Sequence, residues 1–522
     1  MSKKLSLIAM ILVTAACRPA TTTPVAAAPS LVVEPRSISE LASELQDKKT
    51  TAVALTQGFL DRIAAVDDAG PTLNAVIVTN PGAMEAAKAL DAAASKGPLF
   101  GIPILLKDNI ETLDAMATTA GSLALQDNLA GRDSPLVARL RAAGAVILGK
   151  TNLSEWANFR SNASTSGWSA AGGQTKNPHA LDRNPCGSSA GSGAAVAAGL
   201  APAAIGTETD GSIVCPASNN GIVGLKPTVG LIPRTHIVPI SATQDTAGPM
   251  TLTVADAALL LTVMAGSDAS DPATEEADAH KTDYTKALDA NALKGKRIGV
   301  ARWLTGYHGP TDAVFEQALA ELKEAGAELI DIKEFPNRQA MGDAEFTVLL
   351  AEFKAGLNDY LAATPPAVKS RSLDELIAFN AATPAELAFF NQDLFEQAAK
   401  APALTDKAYL EAKAAAARLS RAEGIDRMLA DNRIIAIVAP TGGPAWTTDL
   451  ITGDHFLGSS SGLAAVAGYP HITVPMGVVR DLPVGLSFFG PAWSEPTLIG
   501  LAYAYEQRTT ARKTPAFLQH SP

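Results

Sequence analysis

Cysteine is scarce: three residues in 522, at positions 17, 186 and 215. So few, so unevenly spaced, exclude a fold framed by disulfides and offer no ligand pattern for a structural zinc. Basic charge is also short, with 42 Lys plus Arg against 53 Asp plus Glu and a formal charge of −11. Such a chain has no electrostatic reason to seek phosphate backbones, so nucleic acid is excluded as its main partner. Beyond the N-terminus no apolar run is long enough to read as a spanning helix. The seven histidines, at 179, 236, 280, 308, 455, 471 and 520, sit in no supporting motif. No metal and no other cofactor is expected. What is present, 47% apolar and 18% charged residues, has the balance of a globular body rather than a disordered polymer.

The N-terminus stands apart from that body. Lys3 and Lys4 precede the apolar run LSLIAMILVTAA, and Cys17 follows. This is a secretory layout, similar to a bacterial lipoprotein signal, in which cleavage before Cys17 frees it for lipid attachment. An ordinary signal cleaved near the small residues at 26–28 is the alternative. Residues 1–17 are read as the signal and 18–36, rich in Thr, Pro and Ala, as a flexible tether. The expectation is an exported protein, periplasmic or anchored to membrane at Cys17.

From Ser37 the pattern is that of one domain, 37–515. Leu41, Leu45, Val53, Leu55, Phe59, Leu60 and Ile63 recur at helical spacing, with a break around 48–50, and predict two amphipathic helices. LNAVIV, GIPILLKD, GAVILGKTN, KRIGVAR and RIIAIVAPT read as strands alternating with helices. The class is α/β, a sheet covered by helices on both faces. Residues 304–430 read as mostly helical and are expected to cap the site or shape a channel to it.

Two short motifs are set aside. GAVILGKT at 144–151 satisfies a phosphate-loop pattern, but Ala145, Val146, Ile147 and Leu148 suit a buried strand rather than a flexible cradle. GSSAG at 187–191 would nominate Ser189 as a hydrolase nucleophile. The preceding LDRNPC is no strand, and only His455 and His471 are formally available as its base.

A third signal joins Lys107 in GIPILLKDN, Ser188 in CGSSAGS and Ser212 in GTETDGSIVCPA. The segment 186–231 around the two serines is packed with Gly, Ser and Ala, which gives close backbone approach and many amide donors. These three segments, in this order, resemble the amidase signature family. The likeness runs from about residue 37 through LPVGLSFFG at 482–490, and the run with NPCGSS before and QDTAGP after looks most like its peptide amidase branch. The resemblance implies a large mixed β-sheet core covered by helices on both faces, and an amide hydrolase with Ser212 as nucleophile, Ser188 as a bridging serine on a non-proline cis peptide, and Lys107 as base. It implies an oxyanion hole of backbone amides at Thr209, Asp210, Gly211 and Ser212. On the branch likeness alone, the substrate is the C-terminal carboxamide of a peptide; aryl or aliphatic amides and esters are the alternatives within the family. Asp210 and Val214 stand where Gly and Arg are common in the family, and these departures bear on substrate choice rather than on the triad.

The chemistry can be rebuilt without the family. A lysine removes a proton only when neutral, and its reference pKa of about 10.4 must fall by a few units for work near neutrality. Lys107 ends the apolar run from Ile102 to Leu106, where burial would disfavour the ammonium. Asn158 in SEWANFR and Trp168 in STSGWS are candidate substrate contacts, Asn158 equally a turn residue and Trp168 equally a core plug. Asp245 is expected to be a buried structural acceptor. Cys186 and Cys215 are expected to remain reduced, as small apolar fillers. A small molecule or peptide amide is the expected partner, with no obligate protein partner. The amidotransferase subunit that acts on charged tRNA also resembles this chain, but an export signal argues against that cytoplasmic role. A catalytically silent binding protein on the same fold is the opposing class, and the intact Lys107, Ser188 and Ser212 argue against it.

Overall fold

The first two elements follow directly from local chemistry. Helix Ile38–Gln46 starts at a capping box in which Ser37 and Glu40 satisfy each other's backbone, and Thr51 caps helix Ala52–Arg62. Between them Lys48 adopts a left-handed φ of 58°, which breaks the helix where the sequence predicts. The computed structural model describes residues 34–93 and 97–521. The signal at 1–17, Cys17 and most of the tether lie outside the described residues. Those described fall in one compact unit, Val32–Pro522.

Thirteen strands follow: β1 Val76–Thr79, β2 Pro103–Lys107, β3 Val146–Thr151, β4 Trp168–Ser169, β5 Gly173–Gln174, β6 Ala203–Glu208, β7 Val223–Lys226, β8 Thr246–Thr251, β9 Arg297–Ala301, β10 Glu328–Ile332, β11 Ala436–Pro440, β12 His471–Val479 and β13 Leu482–Phe489. Strands β4 and β5 form a small hairpin. The other eleven form one sheet in the order β1-β3-β2-β6-β8-β7-β12-β13-β11-β9-β10. The sheet is mixed: β3-β2-β6 and β11-β9-β10 are parallel, and the centre is antiparallel. The two-residue turn between β12 and β13, Arg480–Asp481, has both residues left-handed, as the twist of a tight hairpin requires.

Alternation along the strands places the site. Ile104 and Leu106 of β2 join Ile147 and Ile205 in a core packed with Leu136, Val254 and Leu498 from covering helices. Leu105, with Leu148, Ala204 and Met250, faces the other way, against Ala194, Ala195 and Ala217 of the small-residue helices Ala190–Ala197 and Val214–Asn220. Side chains two apart share a face, so Lys107 lies on the Leu105 side, toward the helices that follow Ser188 and Ser212. Both faces are buried, which is why β2 and β3 read as nearly unbroken apolar runs.

The phosphate-loop match at 144–151 is β3, buried throughout, with the Lys150 ammonium tied to the Ile110 carbonyl and, at 2.9 Å, to Thr118 Oγ1. Segment 304–430 divides. Helix Gly309–Glu324 and edge strand β10 belong to the sheet layer, with Phe315, Leu319 and Leu322 in the main core. Of the later helices, Arg338–Ala362, Leu373–Ala382 and Asp393–Ala399 build a separate core, in which Phe353, Leu357 and Phe395 pack on Trp156, Val238 and Ile240, while Met341, Leu419, Ile425 and Met428 pack with Ile437 and Phe489 of the sheet.

Candidate active site

Lys107 ends β2 with no exposed surface. Its Nζ lies 2.7 Å from Ser188 Oγ, 2.9 Å from Thr207 Oγ1 and 3.2 Å from the Thr207 carbonyl. Burial is the dominant influence on it and pushes its pKa down to about 7; Asp245 and Glu208 pull the other way. Glu208 is buried and Asp245 half-buried, and desolvation holds both carboxyls above their usual range, which weakens that opposition.

The Gly187–Ser188 peptide is cis. The Ser188 carbonyl accepts from Ser154 N at 3.0 Å, and a side chain at Gly187 would run into Ser154 Oγ, so only glycine fits there. Ser189 N donates to the Ser212 carbonyl at 3.1 Å, which ties the two serine-bearing segments together. Ser189 itself is no nucleophile: its Oγ donates to the Thr207 carbonyl at 3.1 Å. Of its formal partners, His471 is buried against Ser487 Oγ at 2.6 Å and pushed down to about 3, while His455 is exposed near Asp449.

Ser212 is 9% exposed and lines a cleft of about 530 Å³ with Gly187, Thr209, Asp210 and Gly211. Gly211 turns the chain there with a φ of 83°. Among the described residues, no protein acceptor takes the backbone N–H of Thr209, Asp210, Gly211 or Ser212. Glu208 fixes the following turn by accepting from Ile213 N at 2.8 Å and Val214 N at 3.0 Å. Asp245 accepts from Thr209 Oγ1 at 2.6 Å and from the amides of Ile240 and Ser241, a structural acceptor as expected, but half-buried rather than buried. Thr207 and Asn109, whose Nδ2 donates to Thr207 Oγ1 at 2.9 Å, complete the surroundings of the amine. The sequence reading passed over both, although Asn109 is two residues from Lys107 and Thr207 opens the TETDGS run.

Two expectations are corrected. Cys186 and Cys215 are joined in a disulfide, their Cα atoms 6.0 Å apart, rather than reduced fillers. Both line the cleft, one on each serine segment, and the fold brings them within bridging range. Trp168 does not line the cleft: it is buried, edge-on to Phe389 and Phe390, whose ring also carries the Arg160 guanidinium. Asn158 does line the cleft; its Nδ2 donates to Ser166 Oγ at 3.0 Å, its buried Oδ1 has no partner, and it makes no bond to Lys107. Phe159, Leu349, Leu394, Trp446 and Phe456 form apolar walls, and among the described residues Asp210 and Asp454 are the only ionisable groups lining the cleft.

The family model Amidase matches residues 54–499. A probable amidase of Arabidopsis thaliana is 39% identical over 504 residues, 93% of this chain and 92% of its own. The native peptide amidase of Stenotrophomonas maltophilia is 53% identical, with a TM-score of 0.87 over 92% of this chain and 98% of its own. A peptide amidase solved with the competitive inhibitor chymostatin, also 53% identical, has a TM-score of 0.88 over 92% and 99%. A dry amine on a serine hydroxyl, a second serine in an open cleft and unclaimed backbone amides beside it thus occur on a chain that these likenesses place in the amidase family, as a hydrolase of carbon–nitrogen bonds.

Proposed function

We propose that this chain deamidates the C-terminal carboxamide of peptides, with Ser212 as nucleophile, Ser188 as proton relay and Lys107 as base. The observation that carries the reading is the Lys107 amine, wholly buried and 2.7 Å from Ser188 Oγ. A neutral amine takes the Ser188 proton as Ser188 takes that of Ser212. Ser212 Oγ then bonds the carboxamide carbon, and the oxyanion is met by the free amides of residues 209–212. Collapse breaks the C–N bond, Ser188 returns the proton to nitrogen, and ammonia leaves. Water attacks the acyl-enzyme by the same relay, freeing the acid and restoring Ser212.

The choice of substrate is supported by the likeness to the peptide amidases and by the cleft. Its volume suits the end of a peptide, and its walls mix apolar side chains such as Phe159, Trp446 and Phe456 with Ser, Thr and Asn side chains. Among the described residues no Lys, Arg or His lines it, so nothing there offers an ion pair to a free C-terminal carboxylate, and a neutral carboxamide suits it better. Ammonia release from a panel of peptide amides, with the aryl amides and esters as alternatives, tests this. Wild type should release it and Ser212→Ala should not; equal release by both would end the assignment.

We also infer export, with Cys17 as a lipid anchor. The N-terminal signal layout carries this reading, and the disulfide between Cys186 and Cys215 accords with an oxidising compartment. Membrane fractionation should recover the wild type with membrane and Cys17→Ser in the soluble fraction.

A further inference from the structure

Three polar atoms surround the Lys107 amine: Ser188 Oγ, Thr207 Oγ1 and the Thr207 carbonyl. A neutral amine has two N–H groups and one lone pair to divide among them. The carbonyl can only accept. The lone pair therefore meets either the Ser188 hydroxyl hydrogen, as a base must, or the Thr207 hydroxyl hydrogen, where it does nothing for the reaction. Something has to turn the Thr207 hydrogen away.

A second cavity, of about 440 Å³, supplies the means. It is lined by Asn109, Thr207, Thr209, Asp245 and Glu352 among others, and by neither Ser188 nor Ser212. Asn109 is 3% exposed; its Nδ2 donates to Thr207 Oγ1, and its Oδ1 is buried without any partner. With Lys107 and Asn109 both donating to Thr207 Oγ1, both lone pairs of that oxygen are used and its hydrogen needs an acceptor. The cavity wall thus holds one unclaimed donor beside one unclaimed acceptor, the pair that a single water satisfies.

We propose that a water in this cavity bridges Thr207 Oγ1 and Asn109 Oδ1, and that Asn109 is the positioning residue that turns the Lys107 lone pair onto Ser188. The inference rests on Lys107 being the base. Turning the Asn109 amide over would replace the water bridge by a direct bond, the amide oxygen accepting the Thr207 hydrogen, and would leave the positioning role of Asn109 unchanged. The charged neighbours of the amine, Asp245 and Glu208, do not compete for its lone pair.

Asn109→Leu removes both the donor to Thr207 and the water's anchor. Its kcat should fall by about ten- to a hundredfold, part of what a positioned base supplies, with KM within about twofold. Asn109→Asp can still accept the Thr207 hydrogen, so its plateau kcat should stay within a few-fold of wild type. Its added negative charge should move the acid limb to higher pH. Thr207→Ser should keep activity and Thr207→Val should lose it. Wild-type kcat in Asn109→Leu, or equal losses in the Leu and Asp variants with equal losses of thermal stability, would overturn the inference. Lys107→Ala separates the two levels. If it keeps the acid limb, the base assignment itself falls; if it loses the limb while Asn109→Leu is unimpaired, only the role of Asn109 does.

Discussion

A lysine without solvent, set among oxygen atoms and with its pKa lowered by burial, is the residue on which the chemistry turns, and burial has thermodynamic as well as kinetic consequences. With its pKa near 7, kcat/KM should decline on the acid side with a midpoint near that value, as the ammonium fills. The sign for stability follows from the same shift. Between about 7 and the unfolded value of about 10.4, the unfolded chain binds a proton on Lys107 that the folded chain does not. Stability should therefore rise with pH in that window, by at most about 1.4 kcal/mol per unit from this group. Urea unfolding at several pH values should show that part of the slope in wild type and not in Lys107→Met. Lys107, Ser188 and Ser212 were legible in sequence because each sits in a long motif. Asn109 and Thr207 were not, since what singles them out is an unpaired atom and a cavity, neither of which has a linear pattern.

At the scale of elements, two devices hold the serine segments. The disulfide joins Cys186, just before Gly187–Ser188, to Cys215, at the start of the helix after Ser212. Closing a loop of 29 residues removes about 3–4 kcal/mol of unfolded-chain entropy in the simplest treatment. Reduction, or Cys186→Ala with Cys215→Ala, should lower the melting temperature and reduce kcat more than it changes KM; calorimetry and initial rates check both. The second device is the loop Glu155–Asn158, where Trp156, Ala157 and Asn158 are all left-handed. A buried Arg160–Glu155 ion pair at 3.0 Å holds that loop, whose Ala157 and Asn158 line the cleft. Neither device was readable in advance. Cysteines 29 residues apart give no hint of proximity, and three successive left-handed non-glycine residues contradict local propensity. The strands β2, β3, β9 and β11 were readable, because burial on both faces leaves an unmistakable apolar run.

For the whole molecule, an α/β sheet covered on both faces was predictable from the alternation of strands and helices, but its antiparallel centre and the order of its eleven strands were not, since register depends on distant partners. The helical segment after 304 was legible as helix. That its first helix joins the main core, the middle ones pack over Trp156 and Ile240, and the last return to the sheet beside Ile437 and Phe489 was not. Sheet, small-residue helices and covering helices together keep one amine dry beside one hydroxyl. The titration of Lys107, followed by ¹³C NMR of lysines labelled at Cε and assigned by Lys107→Met, tests that claim most directly. Two other buried lysines, Lys150 and Lys226, are pushed down only to about 8 and serve as internal comparisons. The account predicts a midpoint near 7 for Lys107; a midpoint near 10, with the enzyme active at neutrality, would contradict it.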